Sequence, residues 1–293
     1  EEPLQLASWN SKMRRLLLST CALNWGAISP AIFGSMFQSV MDEKARRNLG
    51  AHYTSEKNIL KLIKPLFLDE LTAEFEKIKN DKGKLNNFHK KIAGLKFLDP
   101  ACGCGNFLVI SYRELRLLEL EVLKALQKGQ QVTTISQLVR VDVDQFYGIE
   151  YEEFPAQIAQ VAMWLMDHQM NMQVSEAFGE YYRRLPLRKA PTIRHGNALR
   201  IDWQSLINPI PFEKGPQIYN YIFGNPPFIG TAYQKEEQKE DVRIVFGNIN
   251  SSGMLDYVCC WYLLAARYIT QYNSESLKIK CAFVSTNSIT QGE

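Results

Sequence analysis

Residues 98–108 read Leu98-Asp99-Pro100-Ala101-Cys102-Gly103-Cys104-Gly105-Asn106-Phe107-Leu108. A short apolar segment, 95–98, leads into them, and a long helical pattern, 107–126, leads out. Strand, glycine-rich turn and helix start form the first unit of a nucleotide-binding α/β sheet. Gly103 and Gly105 let the backbone approach a ligand closely and adopt positive φ. The dinucleotide fingerprint has three glycines and no acid. Here Asp99 and Pro100 precede the glycines. Asp99 repels a pyrophosphate, whereas it attracts cations such as the ammonium and sulfonium groups of S-adenosylmethionine.

Two further stretches fit such a sheet. Phe146-Tyr147-Gly148-Ile149-Glu150 reads as a second strand that ends in a carboxylate. An acid at that position grips a ribose diol; an acid in the first turn of a helix is the plainer alternative. The next helix, over 155–166, is apolar at Ile158, Val161, Ala162 and Leu165 and so packs on the sheet. Further on, the apolar run 219–223 is followed by Gly224-Asn225-Pro226-Pro227-Phe228. Neither proline has an N–H, so the pair offers only carbonyl acceptors. Asn225 adds a side-chain oxygen and Phe228 a flat apolar face. Acceptors without competing donors, beside a stacking platform, suit a planar group carrying an –NH₂, such as a nucleobase. Two acceptors that take the amine hydrogens return its delocalised lone pair to nitrogen. A proline-stiffened turn is the alternative reading of the same residues.

Together these motifs resemble the DNA amino-methyltransferases of the S-adenosylmethionine-dependent Rossmann-like class. The nearest likeness is to the adenine-N6 methyltransferase part of fused restriction–modification enzymes of types IIG and IIL. The resemblance runs from about residue 49 to the end of the chain. It implies that Tyr53 and Thr54 contact the methionine moiety of the cofactor. Asp99, Pro100, Ala101, Gly103, Gly105, Asn106 and Phe107 form its loop. Glu150 takes the ribose, and Asn197 and Ala198 touch the adenine; many relatives carry Asp at the position of Asn197. Asn225, Pro226, Pro227 and Phe228 become the catalytic signature, acting on an adenine flipped out of double-stranded DNA. Leu255-Asp256-Tyr257 resembles a segment lining the base pocket, and Val284-Ser285-Thr286-Asn287 the fifth strand. Cytosine-N4 enzymes usually have Ser or Thr in place of Asn225. Cytosine-C5 chemistry needs a Pro-Cys dipeptide, which does not occur here.

The order of motifs, cofactor segment before catalytic loop, is the γ arrangement, which places target recognition after the catalytic domain. The expected architecture is a Rossmann-like α/β core over 49–293, with a mostly parallel sheet flanked by helices. It is expected to be C-terminally incomplete, since a full sheet of this class needs two more strands. A start at Glu1 rather than Met fits a piece of a longer, fused protein. Residues 1–48 fall outside the sheet. Trp9, Met13, Leu16, Leu17, Leu18, Cys21 and Leu23 make one apolar helical pattern, and Ile32, Phe33, Met36, Phe37 and Val40 a second. They are read as a helical spacer toward an upstream nuclease, or as a cap on the core. The chain itself carries no Asp-x-Glu-x-Lys-like nuclease signature.

Composition supports a soluble, cytoplasmic protein. The hydrophobic content of 46% is enough for a core, and no apolar run reaches membrane-spanning length. None of the six cysteines has zinc spacing, and the four histidines show no ligand spacing, so no metal is assigned. The net charge of +3 is too small to establish nucleic-acid binding. Lys77, Lys79, Lys82, Lys84, Lys90, Lys91 and Lys96 crowd one stretch that lies either on DNA phosphates or in solvent. The polar stretch 231–250 reads as a loop, mobile over a flipped base or simply at the surface. Other readings are an RNA or protein-glutamine amino-methyltransferase and a catalytically silent cofactor-binding subunit. A nucleotide-dependent dehydrogenase is the remaining one.

Overall fold

In the computed structural model the described residues are 8–23, 28–29, 32, 54–127, 138–179, 190–207, 217–247, 249, 252–274 and 278–289. Five parallel strands form the sheet: β1 (Phe97–Asp99), β2 (Phe146–Glu150), β3 (Thr192–His195), β4 (Tyr221–Gly224) and β5 (Lys280–Phe283). Their order is β3-β2-β1-β4-β5. The chain therefore moves outward one way from β1, then returns to its other side. Between β1 and β4 the order reverses, and such a switch point is where open α/β sheets bind ligands. Phe97 pairs with Phe146 on one side and Tyr221 on the other.

Successive strand residues point to opposite faces. Phe97, Phe146, Tyr221 and Phe223 enter one core, while Leu98, Tyr147, Ile149 and Ile222 enter the other. A sheet buried on both sides needs apolar residues at both parities, which these strands supply. On the first face Phe97 and Phe146 stack at 4.7 Å between ring centroids. That face is covered by α2 (Glu56–Ile63), α3 (Asp69–Ile78), α4 (Lys82–Gly94), α5 (Asn106–Leu126) and α6 (Glu153–Phe178). Between α2 and α3 the helix widens into a π turn, Lys64–Leu68. Pro65 lies there and cannot donate the ordinary helical bond. The second face is covered by α7 (Glu236–Phe246) and α8 (Cys259–Tyr272).

A charged cluster is buried beneath α5. Arg116 donates to Asp167 Oδ1 at 2.9 Å, to Asn171 Oδ1 at 2.9 Å and to the Tyr112 hydroxyl at 2.6 Å. Its Nε lies 3.2 Å from Glu119, whose other oxygen lies 2.7 Å from His89 Nε2 and accepts the Arg140 and Val141 N–H groups. The arrangement ties α4, α5 and α6 together.

Several expectations shift. β1, β2, β4, α5 and α6 start within two residues of the expected bounds, but α6 runs to Phe178, carried on by Met170 and Val174. The stretch 231–250 is not a loop throughout: it holds a 3₁₀ turn, Thr231–Tyr233, and α7. Its charged residues mask Val242, Val245 and Phe246, which are spaced to bury one stripe. The fifth strand lies at Lys280–Phe283, ahead of the expected Val284-Ser285-Thr286-Asn287. Only Val284 continues the pairing, donating to the Gly224 carbonyl at 2.9 Å. The first apolar pattern is α1 (Ser11–Cys21), capped by Asn10, whose side chain accepts from the Met13 N–H, and none of its residues is buried. The second pattern lies outside the described residues apart from Ile32. Of the crowded lysines, Lys79, Lys84 and Lys91 pair with Glu76, Asp81 and Glu74. No helix among the described residues is long and apolar enough to cross a membrane.

Candidate active site

Asp99, Glu150 and Gly224 are the last residues of β1, β2 and β4, and Asn197 follows two residues after β3. These four residues therefore meet at the carboxyl ends of the strands. The loop 99–105 is tied down by its own neighbours. Asp99 Oδ1 accepts the Ala101 N–H at 3.0 Å. The Cys102 N–H donates to the Ile149 carbonyl at 3.0 Å, and the Gly105 N–H to the Cys102 carbonyl at 2.8 Å. Trp261 Nε1 on α8 donates to the Pro100 carbonyl at 3.0 Å. Gly105, at φ 83°, is left-handed, and a Cβ there would stand 3.0 Å from the Ala159 methyl. Only glycine meets both demands. Phe107 is buried in the first core behind the loop.

Glu150 closes the loop from β2. Its Oε2 accepts the Gly103 N–H at 2.8 Å and its Oε1 the Glu152 N–H at 3.0 Å. Burial raises its carboxyl above the ordinary range, against the lowering effect of those bonds. Asp99 is fully buried, and burial together with the Glu150 charge pushes its carboxyl up to about 8. Asp99 Oδ2 and Asn106 Oδ1 are buried and have no hydrogen-bond partner among the described residues. Buried acceptors without donors are rare in folded proteins. They stand at the two ends of the same loop, which carries Gly103, whose Cβ position has nothing within 4 Å. This donor-poor, acceptor-rich cradle fits a ligand that brings N–H groups and positive charge, as S-adenosylmethionine does.

The second loop adjoins the first. A Cβ on Gly224 would lie 2.3 Å from Asp99 Oδ1, so backbone and carboxylate are in direct contact. Asn225 Nδ2 donates to the Thr54 hydroxyl oxygen at 3.0 Å. Pro226 is buried, while Pro227 and Phe228 are half-buried. The loop's far end is held on both backbone groups. The Ile229 N–H donates to Asp256 Oδ1 at 3.0 Å, and its carbonyl accepts from the Tyr257 N–H and from Gln234 Nε2, each at 3.0 Å. Thus Leu255-Asp256-Tyr257, read as base-pocket lining, clasps the end of the Asn-Pro-Pro-Phe loop.

Asn197 sits in a network of its own. Its Oδ1 accepts the Leu199 N–H at 2.9 Å, and its Nδ2 donates to Asp241 Oδ2 at 2.9 Å. Ala198 is buried, and its carbonyl accepts from Trp203 Nε1 at 2.9 Å. Asp241, Gln234 and Trp261 were not singled out by sequence reasoning. The spacing of Val242, Val245 and Phe246 is the signal that puts Asp241 next to a buried stripe. Tyr53 lies outside the described residues. Cys102 and Cys104 are buried in the loop, and burial pushes the Cys104 thiol up to about 12, which disfavours the thiolate. Among the described residues no three His, Cys, Asp or Glu side chains are grouped to hold a metal.

A five-stranded parallel sheet with an acid–glycine loop and an Asn-Pro-Pro-aromatic loop at its switch point defines a Rossmann-like methyltransferase fold. The chain belongs to the family of MmeI-type DNA-methyltransferase domains: the family described as "MmeI, DNA-methyltransferase domain" matches residues 75–293. It is 42% identical over 297 residues to the "DNA methyltransferase A" of Bacillus subtilis (strain 168), a match covering 100% of this chain and 32% of that protein. The solved structure of the type IIL restriction-modification enzyme MmeI in complex with DNA is 60% identical, with a TM-score of 0.90. The match to it covers 100% of this chain and 38% of the solved one. The chain thus spans about a third of the length of these relatives.

Proposed function

We propose that this chain is the catalytic part of a DNA adenine-N6 methyltransferase that uses S-adenosylmethionine, in the modification arm of a bacterial restriction–modification or related defence enzyme. The observation that carries this reading is the contact between Gly224 and Asp99. It sets the acid–glycine loop against the Asn-Pro-Pro-Phe loop, so a cation held by the first faces an amine held by the second. Residues 49–293 are read as the catalytic domain and 1–48 as a helical spacer or cap. Nuclease and target-recognition parts are expected elsewhere in the full protein, which works in the cytoplasm on double-stranded DNA.

Thr54, Asp99, Gly103, Asn106, Glu150 and Asn197 would hold the cofactor. When bound, S-adenosylmethionine supplies an electrophilic methyl group on a positively charged sulfur. The chain's own residues do the rest. Phe228 stacks on the adenine after it leaves the duplex, a step that costs a few kcal/mol of unstacking. Asn225 Oδ1 and the Pro226 carbonyl accept the two N6 hydrogens and hold the nitrogen lone pair toward the methyl-donor site. No side chain attacks the base, and positioning within a preorganised polar site supplies much of the rate.

The test is product analysis. Full-length enzyme with S-adenosylmethionine and its DNA substrate should yield N6-methyladenine after digestion to nucleosides. Asn225→Ala should abolish the product while donor binding stays near normal. N4-methylcytosine as the product, or methyl groups found only on RNA or on protein glutamine, would overturn the assignment.

A further inference from the structure

Asp241 is 3% exposed and sits on α7, outside both loops of the site. A buried carboxylate requires hydrogen-bond donors, and bonds to it are stronger than neutral ones. Its donors come from two distant segments. Asn197 Nδ2 at 2.9 Å and Arg200 Nε at 2.7 Å reach it from the turn after β3. The Tyr257 hydroxyl reaches it at 2.6 Å from the segment ahead of α8. The backbone N–H of the same Tyr257 holds the Ile229 carbonyl, and the adjacent Asp256 holds the Ile229 N–H. A continuous chain of hydrogen bonds thus runs Asn197–Asp241–Tyr257–Ile229. It joins the turn that follows β3 to the loop that follows β4. These elements lie on opposite sides of β1 in the sheet.

We infer that Asp241 is a positioning residue that makes methyl-donor binding at the Asn197 turn and base binding at the Asn225–Ile229 loop reinforce each other. This rests on the proposed reading of the site as an amino-methyltransferase centre. A donor that settles the Asn197 amide also settles the carboxylate it bonds, and through Tyr257 the end of the base loop. By linkage the base has the same effect on the donor.

The experiment measures coupling in the full-length protein. Donor affinity is measured by calorimetry with and without a duplex carrying the enzyme's modification site. 2-Aminopurine at the target adenine reports the base leaving the stack. In the wild type each ligand should tighten the other by about fivefold or more. Tyr257→Phe keeps the ring against Trp261, 5.2 Å away between centroids, and removes only the hydroxyl. It should bring the coupling factor, the ratio of donor affinities with and without DNA, close to one, as should Asp241→Asn. Asn197→Ala tests the other end of the chain if Tyr257→Phe does not fold. Coupling that survives Tyr257→Phe or Asn197→Ala, or a wild type that binds both ligands independently, overturns the inference. A wild type that binds no S-adenosylmethionine, or leaves the base stacked, instead overturns the reading of the site.

Discussion

The Asn225 amide nitrogen donates to the Thr54 hydroxyl at 3.0 Å, across 171 positions of sequence. A carboxamide has one donating and one accepting end. With the donating end on Thr54, the end turned to other duties is the oxygen, which is the atom an amine substrate requires. Thr54 therefore anchors the amide of Asn225. Thr54→Val keeps the shape and removes the acceptor. Turnover should fall by about tenfold, the size of one hydrogen bond at the upper end of its net range. Thr54→Ser should retain most of the activity. Single-turnover kinetics check this, and equal rates for Val and Thr would contradict it.

Glu150 holds the Gly103 and Glu152 N–H groups and is expected to take the ribose as well. Glu150→Ala loses charged hydrogen bonds worth roughly 1.5–3 kcal/mol each, so donor affinity should drop by about tenfold or more. Titration calorimetry is the measurement; an unchanged affinity would return Glu150 to a purely structural part.

Gly224→Ala forces a methyl to within 2.3 Å of Asp99 Oδ1, and the obstacle is a fully buried carboxylate. Overpacking of this kind costs about 1–3 kcal/mol. The midpoint of urea unfolding should fall accordingly, and donor affinity should fall with it because Asp99 must move. A variant with wild-type stability and affinity would mean that β4 relaxes freely.

The Asp99 carboxyl is pushed up to about 8, chiefly by burial. Its folded value is raised, so the native state holds the extra proton. Its contribution to stability is complete below the ordinary carboxylate range and is lost as pH climbs from there through about 8. On the proposed reading, a bound methyl donor would bring positive charge to the carboxyl, which would favour its ionised form. Binding should therefore release a proton near neutrality, and affinity should rise between about pH 6 and 7.5. Calorimetry in buffers of different ionisation heat detects that proton. Asp99→Asn should remove the release, whereas a release that persists in Asp99→Asn would assign the proton elsewhere.

Arg116 is buried against Asp167 and Glu119. Arg116→Ala leaves two carboxylates without their cation, and breaking a buried pair this way costs about 3–5 kcal/mol. Chemical denaturation should show that loss, with little effect on donor affinity per folded molecule, because the cluster lies under α4, α5 and α6 rather than at the strand ends.

Much of this was legible in the chain. The acid–glycine turn at 99–105 and the carboxylate at 150 fall at strand ends because a strand followed by a tight turn has few other conformations. The Asn-Pro-Pro-Phe loop was legible for the same reason, since proline fixes φ and ends the ladder. Asp241 was not legible. It lies in a run of charge that reads as solvated, and its burial depends on Asn197, Arg200 and Tyr257 arriving from other parts of the sequence. The place of β5 was hidden likewise: Lys280 opens it, and the apolar periodicity of a four-residue strand is weak. The clasp of Asp256 on Ile229 is a long-range contact that no local pattern encodes.

The fit of Gly224 against Asp99 also constrains how such a site can change over generations. Every missense change in a glycine codon adds at least one carbon, and here the first carbon already collides. Position 224 can be lost by one nucleotide change but not retuned by one. A change in either of the two loops that meet there has to be matched in the other.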